Sequence, residues 1–73
     1  MLAMSGYELK QIQKLLRVKD AEVCAEAGIA INTLRRVYSD NPNVTQESVE
    51  KVKHALEILR ERLRRSLDFK VAS

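Results

Sequence analysis

Two glycines and one proline are the only such residues in a chain of 73, and this scarcity constrains the fold more than any other feature. Tight reversals between strands rely on residues that tolerate positive φ or that interrupt regular structure. A fold of several short strands is therefore not expected. The remaining sequence is dominated by Ala, Leu, Glu, Lys, Arg and Gln, which lose least on entering a helix. A chain this short buries only about 60% of the surface it exposes when unfolded. The expectation is one small all-α domain over residues 1–73, with a thin core and no room for an enclosed substrate pocket.

Cys24 is the single cysteine and His54 the single histidine, too few for an internal disulfide or a zinc site. No metal or cofactor is expected. No nucleophile–base pair and no phosphate-binding glycine loop is visible, so an enzyme is not expected. "MLAMSGYELK" lacks the basic start and long apolar run of a signal peptide. No stretch reaches the roughly 20 apolar residues of a membrane span. The chain is read as mature, complete and cytoplasmic, with no membrane partner.

Thirteen Lys and Arg stand against ten Asp and Glu, a formal charge of +3. The distribution is more informative. Lys10, Lys14, Arg17 and Lys19 form one basic run, Arg35 and Arg36 a second, and Arg60, Arg62, Arg64, Arg65 and Lys70 a third. Each cluster alone reads as a solvated helix face. Three on so small a body suit a polyanionic partner.

Helix boundaries follow from local chemistry. Ser5-Gly-Tyr-Glu8 has the form of a capping box, and Leu9, Ile12 and Leu16 follow at helical spacing with Leu15 on the flank, predicting a first helix over 6–17. Asp20 is expected to cap a short second helix that turns Val23, Cys24 and Ala27 inward and stops at Gly28, where a left-handed residue is needed. A third helix is expected over 31–38, burying Leu34 and Val37. "SDNPN" then interrupts the pattern, Pro42 forcing Asn41 out of helical geometry. Thr45 caps a long last helix over about 46–67, with Glu47 near its positive end. Val49, Val52, Leu56, Leu59 and Leu63 recur with gaps of three, four, three and four, which is heptad spacing.

Two short helices joined at a glycine turn, in a basic protein, raise the DNA-binding helix-turn-helix. "EVCAEAGIAINTLRRVYSDNPNVTQESVEKV" resembles the DNA-binding headpiece of the lac-repressor family over residues 22–52 without a gap. Val23, Ala27, Gly28, Ile29, Thr33, Leu34, Arg36, Val37, Val44, Thr45 and Val52 fall on that pattern. The extra helix before the motif, with no effector domain after it, resembles instead the phage-repressor (Xre-type) regulators. The broader match is a four- to five-helix lambda-repressor-like domain with a long C-terminal helix.

The resemblance implies that the third helix enters the major groove. Ile31, Asn32, Arg35 and Arg36 are the expected base contacts: Asn pairs with adenine, Arg with guanine, and Ile rests on a thymine methyl. An alternative places Ile31 in the core. Lys19, Thr33, Tyr38 and Thr45 are the expected backbone contacts, which fix register. Ala30 departs from the pattern, since a Ser or Thr before the recognition helix would both cap it and hold a phosphate.

Leu56, Leu59, Leu63 and Leu67, within the stretch 56–70, are expected to form a dimer, because the seam runs on past what so small a body covers. Arg60, Arg62, Arg64 and Arg65 would repel across a tight parallel interface unless paired with Glu57 and Glu61. A crossing or antiparallel pair is therefore favoured. The reading is a homodimeric transcriptional regulator of bacterial or mobile-element type, repressor or activator, acting on double-stranded DNA at an inverted repeat without a small-molecule effector. The alternative is a helical adaptor or antitoxin-like protein that binds a protein partner.

Overall fold

Four helices make up the described residues: α1 (Gly6–Leu16), α2 (Asp20–Ala27), α3 (Ile31–Tyr38) and α4 (Gln46–Ala72). The computed structural model describes residues 5–72, with side chains as far as Leu67. The all-α class is as the composition indicates. No helix among the described residues is long and apolar enough to cross a membrane.

α1 begins as the capping motif requires, with the Ser5 hydroxyl accepting from the Glu8 amide at 3.2 Å. It ends one residue earlier than expected, because Arg17 takes the left-handed conformation at φ 58° and closes the helix. Leu9 is fully buried, and Ile12 and Leu16 pack against the core. Leu15 is 80% exposed. Sequence periodicity did not mark Gln13 as an inward residue, yet it is only 7% exposed. It lies four residues after Leu9 and so shares its helix face.

The α2 N-terminus corrects an expectation. Lys19, not Asp20, is the capping residue, and no side chain caps the helix. Asp20 is already helical and its carboxylate instead accepts from Gln13 Nε2 at 2.6 Å. Gly28 ends α2 at φ 71°, the conformation only glycine adopts without strain. Val23 is fully buried, while Cys24 and Ala27 are half-covered. Burial, and to a lesser degree the Asp20 charge, pushes the Cys24 thiol pKa up.

α4 carries the core. Val52, Ala55, Leu56 and Leu59 join Leu9, Val23, Leu34 and Val37 in one apolar cluster, and each of the other three helices packs on α4. Thr45 caps it as expected, its hydroxyl accepting from the Ser48 amide at 3.1 Å. Two of the proposed dimer residues are corrected here. Leu56 is 2% and Leu59 9% exposed, because α1 and α2 run along α4 further than the seam alone suggests. An ion pair between Arg62 and Glu26 ties α2 to α4 beyond this point. Leu63 and Leu67 remain open, 40% and 52% exposed. The helix continues to Ala72, and the molecule is 47 Å along its longest axis.

Candidate nucleic-acid interface

α3 is sharply two-sided. Leu34 and Val37 are buried on one face, while Ile31, Asn32, Arg35 and Arg36 are exposed. Ile31 is 38% exposed, so the alternative that put it in the core does not hold. The structure thus gathers all four proposed base-contact side chains on the solvent side of one eight-residue helix. Thr33 is half-buried at the edge of that face.

The α3 N-terminus is open. Ala30 occupies the capping position with extended backbone, φ −77° and ψ 157°, and offers no side-chain acceptor. A capping Ser or Thr at such a position typically contributes about 1 kcal/mol, which α3 forgoes. Lys19 is exposed at the corresponding position of α2.

The other two proposed backbone contacts, Tyr38 and Thr45, make hydrogen bonds within the chain. The Tyr38 hydroxyl donates to Gln13 Oε1, so the donor that a phosphate would need is already committed. Burial, then the Asp20 charge, then Cys24 raises the Tyr38 pKa well above the ordinary tyrosine value. Thr45 donates to Ser48 Oγ at 3.0 Å while accepting from the Ser48 amide, and caps α4 from an exposed position. Gln13 completes the inner network: Nε2 also donates to the Val18 carbonyl at 3.2 Å. One buried amide therefore links α1, the α1–α2 turn, the start of α2 and the end of α3.

A second tie fixes α3 from the other side. Gly6 donates its amide to Asp40 Oδ1 at 2.7 Å. Asp40 itself lies at φ 56° just after α3. A Cβ on Gly6 would stand 2.2 Å from the Val37 carbonyl oxygen and 2.5 Å from that of Tyr38. The missing side chain is what lets α1 touch the backbone of α3.

This close approach brings in a residue that the motif-based reading did not assign to the site. Lys10 lies beside Arg35, Tyr38, Ser39 and Asp20 around an open depression. Its signal in the sequence was its place four residues after Gly6, on the turn that meets α3. Of the three acids of α2, Asp20 accepts from Gln13 and borders the same depression, while Glu22 and Glu26 lie toward Leu59 and Arg62 on the α4 side.

The described residues form an all-helical domain in which the exposed face of α3 carries no acid. No family model, curated protein or solved structure matches the chain.

Proposed function

We propose that this chain is a sequence-specific regulator of transcription with a lambda-repressor-like arrangement of helices, binding double-stranded DNA through α2 and α3. The observation that carries the reading is the two-sided α3. Its buried Leu34 and Val37 fix the helix to the body, and its opposite face offers Ile31, Asn32, Arg35 and Arg36 to a partner. These are the side-chain chemistries that read base edges in the major groove. Gly28 supplies the sharp turn that sets α2 across the start of α3. Lys19, Lys10 and Thr33 border the face and suit phosphates. A homodimer acting on an inverted repeat, as repressor or activator, accompanies the proposal, with Leu63 and Leu67 as the side chains left for pairing.

Selection of bound sites from random duplexes is the test, followed by Arg36→Ala. The substitution should cost about 1–3 kcal/mol on the selected site and blur one base position. Equal losses on selected and random DNA would make Arg36 a phosphate contact. The open leucines Leu63 and Leu67 also favour a second reading, a helical adaptor or antitoxin-like protein. That reading requires no duplex binding that combines a steep salt dependence with sequence preference.

A further inference from the structure

We infer that a second copy of this chain covers the groove between α1 and the projecting half of α4, with the two α4 helices antiparallel. The inference rests on the dimer of the proposed function and specifies its surface and register. The groove is continuous. Ile12, Leu56, Lys53, Glu57 and Arg60 line its inner part, and Leu16, Leu63, Leu67, Arg60 and Arg64 its outer part. Arg60 belongs to both. Its floor is apolar over several turns of α4, and Leu63 and Leu67 stand 40% and 52% exposed along it.

Charge decides the occupant and its direction. Among the described residues Glu57 is the one acid lining the groove, and Arg64 lies seven residues further on, at the same heptad position on the same face. A parallel pair would set Glu57 against Glu57 and Arg64 against Arg64. An antiparallel pair with its two-fold axis between residues 60 and 61 sets each Glu57 against Arg64 of the partner, twice over. Arg60 meets its own copy in either arrangement and so does not discriminate. Arg62 turns to Glu26, while Arg64 and Arg65 both reach Glu61, at 3.7 and 3.3 Å; the longer and exposed Arg64 contact is the one that Glu57 of the partner copy would replace. In the antiparallel pair Leu67 of the partner falls near Lys53 and Ile12, and Leu63 near the Arg60 stem.

The same register yields a spacing. Val52 anchors each body to its α4 and lies about 13 Å along the helix from the proposed axis, at 1.5 Å per residue. The two bodies are then about 26 Å apart along the pair, the same order as the roughly 34 Å between half-sites one helical turn apart.

Sedimentation equilibrium of the full chain tests this, with Glu57→Arg, Arg64→Glu and the double exchange. All of these side chains are exposed, so helical circular dichroism should be unchanged. Each single variant turns two attractions into repulsions and should weaken the dimer by about five- to tenfold. The double exchange should restore it. Leu63→Asp with Leu67→Asp should leave a folded monomer. Singles that dimerise as well as the parent chain overturn the antiparallel register. A parent chain that stays monomeric at every concentration overturns the inference. Failure of the DNA reading is distinguishable: a dimer obeying the charge exchange but without sequence preference leaves this surface intact, and a monomer that selects a site does the reverse.

Discussion

Tyr38→Phe removes one oxygen atom and should cost the domain far more than a surface change. In the folded chain the lost hydroxyl is the donor to Gln13 Oε1. Gln13 is 7% exposed, and its two described Nε2 bonds, to Val18 O and Asp20 Oδ1, do nothing for Oε1. The substitution leaves a buried acceptor without a partner, which costs about 1–3 kcal/mol. Tyr38 is only half-buried, so water has some access from its side, and the lower part of that range, about 1–2 kcal/mol, is expected. For a domain this small each kcal/mol moves Tm by about 4–8 °C, giving a fall of about 5–15 °C. Urea unfolding followed by circular dichroism measures it directly. Gln13→Met in the Tyr38→Phe background removes the unpaired acceptor but also both Nε2 bonds, so the Tyr38–Gln13 interaction is read from the full double-mutant cycle with Gln13→Met alone as its fourth corner. The cycle should show a coupling of about 1 kcal/mol. A Tyr38→Phe variant within about 0.3 kcal/mol of the parent, with an unchanged denaturant slope, would refute the argument that this network holds α3 to α1.

Gly6→Ala should destabilise by about 1–3 kcal/mol or more, because the new Cβ meets backbone carbonyls at 2.2 and 2.5 Å that cannot swing aside as a flexible side chain does. A thermal melt equal to or above that of the parent chain would show that α1 can move off α3 freely. The pH response follows from Tyr38, whose folded pKa is raised above its unfolded value near 10.0 by burial first and by Asp20 second. The stability it contributes is thus fully present below pH 10 and is lost as pH rises through the higher folded value. Absorbance titration of a Tyr7→Phe variant, which keeps Tyr38 as the only tyrosine, should show a late midpoint; ionisation at the ordinary value would contradict the burial.

What was legible in the sequence was what depends on neighbours in sequence. Ser5 and Glu8, Gly28, and Thr45 with Ser48 act over three or four residues, and the helix ends they mark are where the structure has them to within a residue or two. α3 was legible because Leu34 and Val37 are separated by a near-full turn and the residues between them are polar. The errors came from contacts across the chain. Asp20 has the right chemistry for a cap, but Gln13, seven residues away, holds its carboxylate, and the helix starts without it. Tyr38 looked free to meet a phosphate because nothing local shows that α1 brings Gln13 beneath it. Leu59 was assigned to a dimer because heptad spacing is the same whether the neighbour is a second chain or α2 of the same one. The four base-contact candidates follow from a pattern of residue types, and their common exposure follows from the burial of Leu34 and Val37 opposite them.

Half of the buried apolar cluster, Val52, Ala55, Leu56 and Leu59, comes from α4, the helix that follows all the others. During synthesis Leu9, Val23, Leu34 and Val37 leave the ribosome first and have nothing to close on. Without α4, the inward side of α1, α2 and α3 is left open and apolar. Only when the chain has been extended past residue 59 can that side be sealed. The angle between α2 and α3 is therefore fixed late, by a segment that lies outside both of them.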